Sequence, residues 1–214
     1  MSLFLFFIIK SEICIEMDKM KTLVFATNNR HKLSEIREIL KDVAIVSGLD
    51  DIGFRGEIPE DYDTLNENAA QKALYISERY SCECFADDTG LEIEALNGEP
   101  GVYSARYAGV GCTFDDNMNK VLAKMEGISN RNARFRTVIA LTDKGRIHFF
   151  EGKIDGIITT EKKGNQGFGY DPVFQPDGYS KTFAEMTLEE KNAISHRAIA
   201  VNKLLNHLKL SDHD

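Results

Sequence analysis

Two adjacent aspartates, Asp87 and Asp88, follow a short apolar run in the sequence FADDTG at 85–90. Neighbouring carboxylates repel each other, and burying either one without a partner is costly. A solvated turn after a strand would account for the pair, because Asp and Gly favour turns. A metal site at the carboxyl end of a strand would account for it equally well, so other parts of the sequence have to separate the two interpretations.

A second polar group, TNNRHK at 27–32, lies between an apolar run and an amphipathic helix pattern. A turn from strand to helix presents unpaired backbone N–H groups and the positive end of the helix dipole, both of which suit phosphate. Thr27 and Asn29 add hydrogen-bond donors, and Lys32 adds a positive charge. An ordinary helix cap is the alternative, since Asn is a good capping residue. The glycine and lysine spacing of a P-loop is absent.

The sequence GFGYDPVF at 167–174 has a composition that suits the binding of a nucleobase. Gly167 and Gly169 allow backbone geometry closed to other residues, and Phe168 between them can present its ring face. Asp171 follows, where a carboxylate can accept from ring N–H groups of a base stacked on the aromatic ring. A glycine-rich surface turn anchored by aromatic residues is the alternative, although loops of this kind are often functional.

Three donor side chains, Lys191, His196 and Arg197, lie in the first turns of the last predicted helix. His and Arg can donate to a purine carbonyl, and Lys191 can reach a phosphate or a base. A solvated helix face is the alternative, and it is the usual environment of Lys and Arg.

An acidic loop at 48–64, which contains Glu60, precedes a helix that carries Lys72. A carboxylate from this loop, together with Asp88, would form an oxygen-only site of the kind that Mg²⁺ prefers. For Lys72 the alternative is again a solvated helix face.

The elements that must position these groups alternate between strand and helix patterns, as in an α/β protein. Capping boxes at Thr64 with Glu67 and at Thr113 with Asp116 begin two of the helices. The predicted elements, in chain order, are a strand at 22–27, a helix after the first turn, a strand at 43–47, a helix from Thr64 to Tyr80, strands at 82–86 and 91–96, a helix from Thr113, a hairpin at 133–158 that turns at Asp143-Lys144-Gly145, and a helix from about Thr187 or Lys191 to Leu208.

The overall composition excludes some classes of protein. The chain has 214 residues, of which 43% are hydrophobic, so it is long enough to bury a sizeable core. Its net charge of −8 argues against a general nucleic-acid binder, which needs a basic surface. A small anionic substrate would need a local cluster of Lys and Arg, or a metal, to offset the field of the protein.

The cysteines and the N-terminal segment indicate the compartment and the domain limits. The four cysteines form no zinc-binding pattern, which indicates reduced thiols in a cytoplasmic protein. The apolar run at 3–9 is too short to span a bilayer and lacks the flanking residues of a signal peptide. Because Met20 begins a sequence typical of a domain start, we expect residues 1–19 to be an extension outside the fold and residues 20–214 to form a single domain.

Five motifs occur in a fixed order along the chain. They are Thr27-Asn28-Asn29 with Lys32, ADDTGL at 86–91, PGVYSARY at 100–107, GFGYDP at 167–172 and SHR at 195–197. This set, which covers about residues 21–208, resembles the inosine triphosphate pyrophosphatase family. The family usually has Gly where this chain has Asn28; since Asn tolerates left-handed backbone geometry, we expect the turn to survive. Thr89 keeps the hydroxyl of the Ser that is frequent there in bacterial members.

The resemblance implies an α/β fold with a central mixed β-sheet flanked by helices, and two lobes with an active-site cleft between them. It implies an enzyme that uses Mg²⁺ to hydrolyse ITP, dITP or XTP to the nucleoside monophosphate and pyrophosphate. A homodimer is implied as well, with no nucleic acid and no membrane among its partners. Two other functions stay open: a phosphatase that releases orthophosphate, and a nucleotide sensor without turnover.

The resemblance also assigns roles to residues. Asp88 is the proton acceptor and a Mg²⁺ ligand, and Glu60 is a second ligand. The substrate-binding residues are Thr27, Asn29, Lys32 and Lys72 at the triphosphate, Phe168, Gly169, Tyr170, Asp171, Lys191, His196 and Arg197 around the base, and Thr89.

Overall fold

A mixed β-sheet forms the centre of the structure, a computed structural model in which residues 20–211 are described. Its seven strands within that range are β1 (Lys21–Phe25), β2 (Ala44–Ser47), β3 (Cys84–Ile93), β4 (Pro100–Gly101), β5 (Asn132–Asp143), β6 (Arg146–Ile158) and β7 (Phe174–Pro176). The strand order is β2-β1-β3-β5-β6-β7, and β4 pairs with the second half of β3. β1 is parallel to β2 and β3, whereas the other strand pairs are antiparallel.

Helices cover both faces of this sheet. Those in the described range are α1 (Arg30–Leu40), α2 (Leu65–Tyr80), α3 (Phe114–Lys124), α4 (Leu188–Ile194) and α5 (His196–Ser211). α1 and α5 pack on the face that carries Phe85 and Leu141, and α2 packs on the face that carries Ala86 and Val138. α3 packs on a third apolar cluster near the end of β3. The predicted mixed sheet flanked by helices is confirmed, and the division into two lobes stays a prediction.

Local sequence signals placed several of these elements correctly. The Thr64 and Thr113 hydroxyl oxygens accept hydrogen bonds from the N–H groups of Glu67 and Asp116, as predicted. The Asp116 carboxylate completes its capping box by accepting from the Thr113 N–H, whereas the Glu67 carboxylate accepts from the Thr64 hydroxyl. The two residues that join β5 to β6, at 144–145, both have positive φ, which is typical of tight hairpin turns.

The prediction that a strand ends at the aspartate pair is wrong. Asp87 and Asp88 lie in the middle of β3, and residues 94–96 form a 3-10 helix. Within β3, β1 pairs with Cys84 and Phe85, whereas β5 pairs with the full length of β3. The aspartates therefore lie just beyond the part of β3 that pairs with β1, while β3 continues alongside β5.

The last predicted helix is two helices, α4 and α5. Ser195 has extended backbone between them, with φ −66° and ψ 151°, and its hydroxyl oxygen accepts from the Ala198 N–H at 3.2 Å. The apolar pattern runs through this break, so helical spacing alone did not reveal it. The break places Lys191 in α4 and places His196 and Arg197 at the start of α5.

Further expectations from the sequence concern membrane spans, the N-terminal extension and the cysteines. None of the helices between residues 20 and 211 is long and apolar enough to cross a membrane. The predicted extension at 1–19 lies outside the described residues. Cys82, Cys84 and Cys112 are in no disulfide, and the expectation of a reduced protein stays a prediction.

Gly152 in β6 lies directly under the first turn of α5. A Cβ atom at this position would lie 2.0 Å from the carbonyl oxygen of His196 and 2.6 Å from the backbone nitrogen of Ala200. We expect Gly152→Ala to lower the free energy of unfolding by about 1–3 kcal/mol, because α5 must move away from the sheet. Urea unfolding measures this loss.

Gly56→Ala is the control for this substitution, since its Cβ would meet only the Phe54 side chain, at 3.4 Å or more. We expect Gly56→Ala to change the free energy of unfolding by less than about 1 kcal/mol. Equal losses in the two variants would show that α5 does not depend on close contact with β6.

Candidate active site

A cavity of about 840 Å³ lies beside the middle of β3 and the start of α1. Every site residue predicted from the sequence lines it: Thr27, Asn29, Lys32, Glu60, Lys72, Asp88, Thr89, Phe168, Gly169, Tyr170, Asp171, Lys191, His196 and Arg197. The alternative of a solvated helix face is wrong for Lys72, Lys191 and Arg197, none of which is more than 6% exposed. The individual roles of these residues stay predictions.

Asn29 caps the first turn of α1, so the alternative of an ordinary helix cap is correct for this residue. The Asn29 side-chain oxygen accepts from the N–H groups of His31 and Lys32, at 3.0 and 3.2 Å. The Thr27 hydroxyl oxygen accepts from the Asn29 N–H at 3.2 Å. Three backbone N–H groups of this turn, those of Asn29, His31 and Lys32, are therefore already bonded. The positive end of the helix and the Lys32 ammonium are what this turn offers to an anion.

The substitution of Asn28 for the usual Gly leaves this turn intact without left-handed geometry. Among the described residues, the non-glycine residues with positive φ are Ser81, Asn97 and Lys144. The Asn28 amide donates to the Gly56 carbonyl at 3.1 Å. The side chain that the family's Gly would lack thus ties the turn to the acidic loop.

Asp87 points to the α1 and α5 side of the sheet and is 1% exposed. Its Oδ1 accepts from Lys32 Nζ at 3.0 Å, and its Oδ2 accepts from Arg197 Nε at 3.3 Å and from the Thr89 hydroxyl at 3.0 Å. Burial alone would raise the pKa of Asp87, but the two cations hold it far below its usual range. Asp87 is therefore an ionised anchor for the side chains around the cavity.

Asp88 points to the opposite face of the sheet, toward α2, and it has fewer hydrogen-bond partners than Asp87. Its Oδ1 accepts from Lys72 Nζ at 2.9 Å, and its Oδ2 has only a 3.4 Å contact with the Asn68 amide. Burial raises the pKa of Asp88 above its ordinary value, although Lys72 and Lys32 oppose the shift. A carboxylate of raised pKa in a cavity has the character of a general base.

Glu60 and Asp88 converge on one ammonium group. Lys72 Nζ lies 2.5 Å from Glu60 Oε1 and 2.9 Å from Asp88 Oδ1, and Arg106 Nη1 lies 3.3 Å from Glu60 Oε2. Burial alone would raise the pKa of Glu60, but Lys72 holds it below its ordinary value, so this carboxylate is ionised. Glu60 and Asp88 thus bring two carboxylates close together around the Lys72 ammonium, and carboxylate oxygens are the ligands that Mg²⁺ prefers.

A buried carboxylate that sequence reasoning missed, Glu35 on α1, joins the donors of α4 and α5. It accepts from Lys191 Nζ at 2.9 Å and also from Arg197 Nη1. Lys191 Nζ also donates to Asp171 Oδ2, at 2.7 Å. The signal was present in the sequence, because Glu35 is four residues before Ile39 and therefore lies beside the apolar stripe of α1.

The Phe168 ring lies among cations and an imidazole. Its centroid is 5.2 Å from that of His31, in a stacked arrangement, and 5.0 Å from Lys191 Nζ. Asp171 closes this loop, since its Oδ2 accepts from the Phe168 N–H at 2.9 Å. Gly167 is required here, because a Cβ would lie 2.0 Å from that oxygen and φ is +71°. Asp171 therefore holds the shape of this loop, and the stacking of a nucleobase on Phe168 stays a prediction.

His196 and Tyr170 complete the wall of the cavity. Burial, with Arg197 and Lys191 nearby, lowers the pKa of His196 well below its ordinary value, so the ring is neutral and carries one N–H. This ring stacks on Phe135 with centroids 4.5 Å apart. The Tyr170 hydroxyl donates to the Ser104 carbonyl at 2.9 Å, which fastens the loop to the PGVYSARY segment.

The fold and the cavity define an α/β protein with a cavity lined by charged and aromatic side chains. The Ham1 family model matches residues 23–207, and the chain belongs to that family.

Similar proteins of known name support this placement. A dITP/XTP pyrophosphatase of Porphyromonas gingivalis is 55% identical over 190 residues, which cover 88% of this chain and 98% of that protein. A dITP/XTP pyrophosphatase of Flavobacterium johnsoniae is 51% identical over 184 residues, covering 86% and 96%. The solved structure of the Staphylococcus aureus Ham1 protein is 37% identical, with a TM-score of 0.81 and coverage of 89% of this chain and 100% of that one. The resemblance inferred from five motifs is confirmed.

We expect Glu35→Ala to lower the free energy of unfolding by about 3–5 kcal/mol at neutral pH, because it leaves Lys191 and Arg197 buried without their shared partner. Burial alone would raise the pKa of Glu35, but Arg197 and Lys191 hold it below its ordinary value of 4.5. The stabilising effect of Glu35 is therefore fully present above that pH and is lost as the pH falls through the lowered pKa. The difference from the unmodified protein should therefore shrink in acid. Denaturant unfolding at several pH values measures it.

Glu38→Ala on the same helix is the matched control, because its ion pair with Lys41 is more than half exposed. We expect a loss below about 1 kcal/mol for this variant. If Glu35→Ala behaved like Glu38→Ala, the buried network would contribute nothing to the fold.

Proposed function

We propose that this protein hydrolyses ITP, dITP and XTP to the nucleoside monophosphate and pyrophosphate, with Mg²⁺ as its cofactor. Membership of the Ham1 family and the relatives named dITP/XTP pyrophosphatases support hydrolysis of non-standard purine nucleoside triphosphates. The observation that carries the proposal is that a buried carboxylate, Asp88, shares one cavity with the lysines of α1 and α2 and with the Phe168 loop.

Asp88 suits the activation of water. Its raised pKa makes it a stronger base than an ordinary Asp, and its weakly bonded Oδ2 can take up a proton. In the proposed reaction, water attacks the α-phosphorus in line with the departing pyrophosphate, and Asp88 orients the water or accepts its proton. Lys32 and Lys72 stabilise the charge that develops on the leaving group.

The charges around the cavity support the need for a divalent cation. Lys32, Lys72, Arg106, Lys191 and Arg197 form ion pairs with an equal number of carboxylates: Glu35, Glu60, Asp87, Asp88 and Asp171. Two further carboxylates, Glu57 and Asp61, also line the cavity. A triphosphate would thus enter a site without net positive charge, in a protein of net charge −8. Glu60 and Asp88 would hold Mg²⁺, which supplies charge neutralisation at the phosphates when bound.

Selection of the nucleobase depends on hydrogen-bond donors at the end of the cavity that is formed by His196 and Arg197. The C6 carbonyl of hypoxanthine or xanthine accepts from the N–H of neutral His196 or from Arg197, whose Nη2 has only a 3.4 Å contact with Thr89. Adenine offers an amino donor there, and an unpaired buried donor costs roughly 1–3 kcal/mol. Guanine shares the C6 carbonyl, so its exclusion has to depend on the 2-amino group.

The products separate this proposal from its two rivals. With MgCl₂, we expect ITP, dITP and XTP to give equal amounts of monophosphate and pyrophosphate, and ATP to react about tenfold or more slowly. Chelation with EDTA should abolish turnover, and MgCl₂ should restore it. Chromatography of the nucleotides with separate phosphate and pyrophosphate assays measures the outcome. Orthophosphate as the first product would favour a phosphatase, and binding without products would favour a sensor.

We expect Asp88→Asn to lower kcat for ITP by about 10²–10⁴, because Asn cannot accept the proton from water. Binding of ITP, measured by calorimetry, should largely remain. Asp63→Asn is the control, since Asp63 is an exposed carboxylate of the acidic loop at 48–64 and lies outside the cavity lining. Substantial turnover by Asp88→Asn would refute its role as the base.

A further inference from the structure

A second cluster of ligand-type side chains lies outside the cavity, where the β5–β6 hairpin meets the last turns of α5. It consists of Asp143, His148 and His207, which are all half-buried. Asp143 is opposite Arg146, and His148 is two residues further along β6, so Asp143 and His148 lie on one face of the hairpin. α5 packs on this face and brings His207 to them.

The three side chains are close enough to share one ion. Their ligand atoms all lie within 4.8 Å of one another, and the ring centroids of His148 and His207 are 4.5 Å apart. Metal bonds to imidazole nitrogen and carboxylate oxygen are about 2.0–2.2 Å long. Small rotations of the side chains would therefore bring the three atoms onto one metal ion.

Asp143 is the member of the cluster that packing does not explain. Its Oδ1 is buried and has no hydrogen-bond partner among residues 20–211. The histidine rings, by contrast, would be accounted for by their contact with each other and by the contact of His207 with Phe150. A buried oxygen without a partner is costly, and in native proteins it often marks the place of an ion or a water molecule.

We propose that Asp143, His148 and His207 bind one Zn²⁺ ion. Two imidazoles and one carboxylate suit zinc and its neighbours in the first transition row, with water completing the tetrahedron. Mg²⁺ prefers oxygen ligands alone, so this site differs in chemistry from the carboxylate pair of the cavity.

The ion would fasten the hairpin to the end of a helix whose first turn reaches the cavity. His207 lies in the last turns of α5, and His196 and Arg197 lie at its start. Because the ion binds the folded arrangement of three separate segments, it stabilises the protein by mass action. It takes no part in the hydrolysis.

Titration of the full chain, prepared without a histidine tag and freed of metal, tests the site. With Mg²⁺ in large excess, one equivalent of Co²⁺ should bind and give visible absorption bands, which Zn²⁺ should then abolish by displacement. Zn²⁺ should also raise the midpoint of thermal unfolding. These readouts do not depend on the proposed hydrolase activity.

His148→Ala and Asp143→Asn should each remove the Co²⁺ spectrum and the zinc-dependent rise in the unfolding midpoint, while turnover with Mg²⁺ is retained. His213→Ala, outside the described residues, is the control and should keep both signals. The proposal is overturned if the metal binds equally well to the His148 and Asp143 variants, if only His213→Ala or Asp88→Asn abolishes binding, or if the unmodified chain binds no Co²⁺.

Discussion

The carboxylate of Asp87 holds together three elements that come from distant parts of the chain. It belongs to β3 and accepts from Lys32 on α1 and from Arg197 on α5. Since Asp87 is 1% exposed, water cannot replace it as a partner of these cations. Buried ion pairs add little net stability, but removing one partner typically costs about 3–5 kcal/mol. One side chain therefore fixes where the first turns of two helices lie relative to the central strand.

The two-residue period of a strand gives the neighbouring aspartates different chemistry. Asp87 faces α1 and α5, where two cations keep it ionised, and Asp88 faces α2 and the cavity, where burial raises its pKa. Their mutual repulsion is relieved because the carboxylates point to opposite faces and each has a lysine within 3.0 Å. The pair is neither a solvated turn nor two equivalent metal ligands. It combines one structural anion with one candidate base.

Sequence patterns predicted the elements well where the signal was local, and they failed where long-range contacts decide. The N-terminal caps of α2 and α3 and the β5–β6 turn follow from a few adjacent residues. The continuity of β3 through the aspartates depends on β5, which lies some fifty residues further along the chain. Burial of Lys72, Lys191 and Arg197 was likewise hidden, because Lys and Arg are mostly exposed and only their distant partners show otherwise. The motifs nevertheless identified residues that line the cavity, because the resemblance to a known family assigned these positions to one site.

A chain of alternating charges joins the two ends of the cavity. It runs from Asp171 through Lys191, Glu35, Arg197 and Asp87 to Lys32. Three cations and three carboxylates neutralise each other, so this network fixes positions without adding net charge to the site. Asp88 is bonded instead to Lys72, which the network does not include. A change in the protonation of Asp88 therefore breaks none of the ion pairs that hold α1, α4 and α5, although the Lys32 charge acts on the pKa of Asp88. This arrangement suits the proposed role of Asp88 as a base in a rigid site.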